Sequence, residues 1–142
     1  MRYLLLGWAA VIGPLIVSGL IGGPTGLLPH LIYHLVYSAL SLIGIWAAVR
    51  MSSRGRRVSL AAAVGVIIAG QLGQELVVLT HGGVHAGPEV LTQPFHVASA
   101  MVSLLGIVAA VVVLIAVTVA TVVPGRRTVH DGRIADPDTP GN

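Results

Sequence analysis

His30 and His34 are four residues apart, the spacing that puts two side chains on one face of a helix. His96 opens a later apolar stretch, and Glu75 stands inside another. Imidazole and carboxylate together suit a transition metal such as Zn, Cu or Fe, and neutral imidazole is available at physiological pH. The expected ligand set is therefore His34, His96 and Glu75, with His30, His81 or His85 completing or feeding it. His34 and His96 are equally well typed as the two axial ligands of a b-type haem. A third reading needs no cofactor, because Glu and His side chains within a membrane also serve as hydrogen bonds between helices. His81 and His85 share the four-residue spacing, but Gly82 and Gly83 lie between them, so that pair is expected in a loop.

These side chains sit in a very apolar chain. Of its 142 residues 55% are hydrophobic and only 9% are charged, which excludes an ordinary soluble domain. A bilayer core of about 30 Å takes roughly 20 residues of helix. Four stretches are long enough, at residues 3–21, 31–49, 58–79 and 95–123. The first exceeds the usual signal-peptide core of about 7–15 residues, so it is expected as a span. Gly22, Gly23 and Pro24 close it, and Pro29 and Pro94 fall where a first helical turn loses no hydrogen bond. The expected fold is all-α: a four-helix transmembrane domain over residues 1–123, followed by a flexible cytoplasmic tail, 124–142, rich in Gly, Pro, Asp and Arg.

All eight basic residues are arginine, in three groups: before the first span, between the second and third, and after the fourth. The positive-inside rule then puts both termini and the middle loop in the cytoplasm, with five of the six histidines toward the outer side. Composition points to the cytoplasmic membrane of a bacterium with a GC-rich genome. There is no basic face interleaved with aromatics, so nucleic acid is not an expected partner. The absence of Cys removes disulfide and thiolate chemistry. No HExxH segment, phosphate loop or Ser/His/Asp set is present, and no catalytic residue is assigned.

An ionisable residue in a span costs about 2.5–3.5 kcal/mol at the bilayer centre, so Glu75 is expected to be paired, protonated or functional. Around it the helical period gathers polar and small residues into stripes. Tyr37, Ser38 and Ser41 follow His30 and His34 on the second span, and Gln71 and Gln74 accompany Glu75 on the third. Ser99 and Ser103 follow His96 on the fourth. These residues are the expected lining of an outward-facing pocket. Its floor is closed by the aliphatic run after Gly106.

Laying the second span on the fourth with a shift of 62 residues pairs His34 with His96, Ser41 with Ser103 and Gly44 with Gly106. Both spans run from outside to inside, so the two hairpins would form a parallel tandem repeat about an axis along the membrane normal. His34 and His96 would then face each other at one depth, with a diagonal of roughly 12–14 Å in a square bundle whose neighbouring helices are 8–10 Å apart. That diagonal suits a haem. Against it, the outer side offers no Arg or Lys for the propionates, and Glu75 and Gln71 intrude where a porphyrin edge would lie.

On His34, Ser41 and Gly44, and on His96, Ser103 and Gly106, the chain resembles a group of small four-helix bacterial membrane proteins whose second and fourth helices each open with a His. The resemblance implies the four-helix architecture and no particular activity. Two functions therefore stand side by side. One is a haem or transition-metal protein with a redox or metal-handling role. The other is a non-catalytic subunit or assembly factor that docks beside a larger membrane complex, or on its own copies, through small-residue faces such as Gly65, Ala69 and Gly73.

Overall fold

A computed structural model describes residues 1–20, 27–51, 53–85 and 87–123; the tail from 124 onward lies outside the described residues. Those residues form four α-helices and two short 3-10 turns, without strands. The long helices are α1 (Arg2–Leu20), α2 (Leu27–Val49), α3 (Arg54–Thr80) and α4 (Pro94–Val122).

Three of them, α2, α3 and α4, are long and apolar enough to cross a membrane. The described apolar part of α1, Arg2–Ile16, is shorter. Going round the bundle, α1 packs on α2, α2 on α3, α3 on α4, and α4 more lightly on α1, so α2 and α4 lie across a diagonal. The central helix is α3. Half of its span is buried, against 33% for α2 and 28% for α4. That ranking follows from composition, since α3 carries the polar residues Gln71, Gln74 and Glu75, which lipid cannot solvate.

The helix ends differ from expectation at two places. α2 begins at Leu27, ahead of the expected start at 31, and Pro29 falls in its first turn, where its missing N–H costs no hydrogen bond. α3 begins at Arg54, which brings Arg54, Arg56 and Arg57 into a helical turn expected as loop. Positive charge at a helix N-terminus opposes the helix dipole. Here the apolar stretch behind it needs the whole length of the helix, and the long arginine stems let their charged heads reach the water interface. Between α3 and α4, the expected open loop is ordered into turns at Gly83–His85 and Pro88–Thr92. Gly82 and Gly83 make the reversal, with φ of 110° and 59° that side-chain-bearing residues rarely adopt.

Glycine sets the spacing of α3 and α4. A Cβ added at Gly106 would stand 2.7 Å from the Ile67 amide nitrogen and 3.0 Å from the Ala63 carbonyl oxygen, and one at Gly70 would meet the Ser103 backbone. The two backbones therefore touch, as small residues permit between membrane helices. The small residues of the ladder at Gly65, Ala69 and Gly73 have different surroundings. Gly73 packs against Ser99, whereas a Cβ added at Gly65 would meet nothing within 4 Å and Ala69 is exposed.

At the arginine-bearing end the core is aliphatic, built from Val11, Leu60, Val64, Ile67, Ala110 and Leu114. It forms the closed floor that the apolar run after Gly106 leads one to expect. Trp8 Nε1 donates to Thr118 Oγ1 at 3.1 Å and ties α1 to α4 beside that core.

Candidate metal centre

Two helices bring three imidazoles together above this floor. His30 and His34 come from successive turns of α2, and His96 from the first turn of α4. His30 Nε2 is 2.8 Å from His34 Nε2 and 3.3 Å from His96 Nε2. One nitrogen from each of the three rings lies within 4.8 Å of the other two. The rings of His30 and His34 meet edge to face, with centroids 4.3 Å apart, while those of His30 and His96 are tilted at 5.4 Å. His34 and His96 are buried at 4% and 6% exposure, and His30 is only half-buried.

Gln71 of α3 orients the set. Its Nε2 donates to Ser103 Oγ on α4 at 2.7 Å, which leaves Oε1 to accept from Nδ1 of His34 on α2. Once Nδ1 of a neutral His34 carries the proton, its Nε2 presents a lone pair to the cluster. On the other side, the Leu91 main chain is a polar neighbour of the His96 ring. Among the described residues no other side chain bonds the three Nε2 atoms. A single N–H of His30 serves at most one of its two neighbours well, so at least one buried lone pair faces another nitrogen instead of a donor.

The expected site residues thus separate. His34, His96, Gln71 and Ser103 converge, and His30, expected as an accessory, is the middle member of the trio. Ser99 is buried against Gly73. Gln74 is buried but turned back on its own helix, where Nε2 donates to the Gly70 carbonyl at 3.3 Å. Tyr37 leaves the lining altogether: its hydroxyl donates to the Val11 carbonyl on α1 at 3.2 Å, because the ring is drawn into the aliphatic core. Ser38 Oγ and Ser41 Oγ are buried without a hydrogen-bond partner among the described residues.

Glu75 is not part of the histidine cluster. It is buried at 6% exposure, and its Oε1 has no partner among the described residues. Helix geometry puts it one turn, about 6 Å, outward of Gln71 on the same face. His81 and His85 lie apart from the cluster as well. The Nδ1 of His81 bonds to the Val77 carbonyl at 2.8 Å at the end of α3, and His85 is exposed.

What sequence reasoning underrated was His30. The signal was present, since the four-residue spacing that places it above His34 also lets both rings point to one spot. No protein-family model, no curated protein and no solved structure matches this chain.

Proposed function

We propose that the protein is a small four-span membrane protein that binds one transition-metal ion through His30, His34 and His96 in a metal-handling or redox role. The observation that carries this is the convergence of three imidazole nitrogens in a largely buried setting where too few protons are available to pair them. Two ligand nitrogens on a tetrahedral Zn, at bond lengths of about 2.0–2.1 Å, are about 3.3–3.4 Å apart. The 3.3 Å between His30 and His96 matches that edge, and the 2.8 Å between His30 and His34 is shorter by about half an ångström. Three neutral imidazoles suit Zn, Cu or Fe and leave a fourth position open. Glu75, buried on the same side of the bundle, is not one of the ligands.

Haem is the weaker alternative. A porphyrin needs a flat gap between its two axial ligands, and His30 occupies the space between His34 and His96. In the proposed topology both termini and the Arg-rich loop are cytoplasmic. The two hairpins are duplicated halves, and the site lies toward the outer face of a bacterial cytoplasmic membrane. His34 and His96, one from each half, meeting across the α2–α4 diagonal agrees with such a repeat.

The test is elemental analysis of the detergent-purified protein after loading with Zn(II), Cu(II) or Fe(II) and removal of excess ion. One equivalent per chain supports the reading. The absence of retained metal, together with no visible absorption band after haem supplementation, leaves the histidines as contacts between helices and the protein as a non-catalytic subunit. A second expectation concerns Gln71. Leucine at that position keeps its volume but frees the His34 ring, and outer partners of this kind typically contribute 10- to 100-fold in affinity. Gln71→Leu is therefore expected to weaken metal binding by that factor in a competition titration, with the stoichiometry at saturation unchanged.

A further inference from the structure

At the other end of the bundle a recess of about 230 Å³ opens between the start of α1, the α2–α3 turn and the last turns of α4. Arg50 and Arg56 line its polar side, and Leu4 and Val117, both buried, form its apolar floor. Neither arginine has an ion-pair partner among the described residues. The only carboxylate side chains among the described residues, Glu75 and Glu89, belong to the histidine-bearing half.

The surroundings are built to hold guanidinium groups in place. Arg50 lies over the Trp46 ring at 5.5 Å, and Trp46 meets Tyr3, another lining residue, edge to face at 5.6 Å. Arg2 in turn covers Tyr3 at 4.8 Å and donates to its hydroxyl at 2.8 Å. Aromatic rings beside arginines are what a membrane-protein surface shows at headgroup depth. Two arginines at a concave site that no carboxylate lines among the described residues call for an anion, and Arg favours phosphate because its planar fork matches two of its oxygens. The apolar floor favours a phosphate that brings hydrocarbon with it.

We propose that this recess binds the phosphate of an anionic lipid headgroup, with Arg50 and Arg56 as its two cationic walls. The site is separate from the histidine cluster and stands whether or not that cluster binds metal. Arg54 and Arg57 are exposed in the same helical turn as Arg56 but do not line the recess, so they provide a control of equal charge.

The full-length protein in mild detergent is titrated with phosphatidylglycerol, with phosphatidylcholine of the same chains, and with inorganic phosphate, and retained lipid is counted by native mass spectrometry. Phosphatidylglycerol is expected to bind at one site per chain and phosphatidylcholine to bind weakly. At about fivefold per arginine near a charged membrane surface, Arg50→Gln with Arg56→Gln weakens phosphatidylglycerol binding about 30-fold. Arg54→Gln with Arg57→Gln leaves the affinity within a few-fold of the parent. Equal losses in the two double variants would reduce the effect to diffuse surface charge and overturn the site. Competition by inorganic phosphate at the same phosphorus concentration would overturn the lipid as its carrier. The histidines are untouched in all these proteins, and helical circular dichroism with an unchanged unfolding midpoint in detergent reports that the fold survives, whether or not metal is bound.

Discussion

Alanine at His34 is expected to lower metal affinity at least 100-fold. The apparent free energy of a structural zinc site, about 10–16 kcal/mol over four ligands, amounts to about 3 kcal/mol for each, and every 1.4 kcal/mol is a factor of ten. His30→Ala and His96→Ala should act alike, because each removes one of three nitrogens within 4.8 Å of one another. His81→Ala and His85→Ala should leave the affinity unchanged, since neither belongs to the cluster. Competition against a chromophoric chelator measures all five. The contrast with a purely structural role is one of size and kind. Hydrogen bonds between membrane helices average about 0.6 kcal/mol and reach about 1.7. If the three imidazoles serve only as such bonds, the variants shift the unfolding midpoint modestly and no metal titrates in the parent. Glu75→Gln tests a buried carboxyl outside the cluster: it should reduce affinity less than any of the three histidine variants.

Much of this arrangement was legible before any coordinates, for reasons that differ from residue to residue. The long helices follow from the length of the apolar runs, which lipid forces into helices because no other local structure satisfies the backbone. The pairing of α2 with α4 at His34 and His96 could be read because the side chains are polar, sit at matching depths and have nowhere else in the membrane to turn. The burial of Gln71, Glu75 and Ser103 followed from the same cost.

The failures are equally physical. Glu75 is the right type at the right depth, yet the sequence holds no information on how far a side chain stands from a neighbouring helix. That spacing is set by Gly70 and Gly106 against the α4 and α3 backbones. Tyr37 shares the helical face of His34 but has an apolar ring large enough to be captured by the aliphatic core, and its hydroxyl finds a carbonyl there. The recess at Arg50 and Arg56 depends on three chain segments meeting, a long-range fact that periodicity within one helix does not carry. The arginines could be explained by topology alone, which concealed it.

The other large effect is expected at Gly106, where leucine should destabilise the bundle by about 3 kcal/mol or more, the upper end of what overpacking usually costs. The atoms a new side chain would meet are the Ile67 amide at 2.7 Å and the Ala63 carbonyl at 3.0 Å. Both are helical backbone, so no rotamer change relieves the overlap and α4 must move off α3. That displacement reaches the site. Ser103 lies one turn from Gly106 on α4 and accepts the Gln71 bond that orients His34, while His96 is carried by the same helix. Gly106→Leu should therefore lose unfolding stability in detergent and metal affinity together. Gly65→Ala is the matched comparison on α3. With nothing within 4 Å of its added Cβ, it should be neutral or stabilise by up to about 1 kcal/mol, through the lower entropy of the unfolded chain, and leave affinity as it was. Equal stability in the two variants would mean that α3 and α4 do not touch backbone to backbone. Stability lost at Gly106 with affinity retained would mean that His30 and His34 hold the ion without the fourth helix.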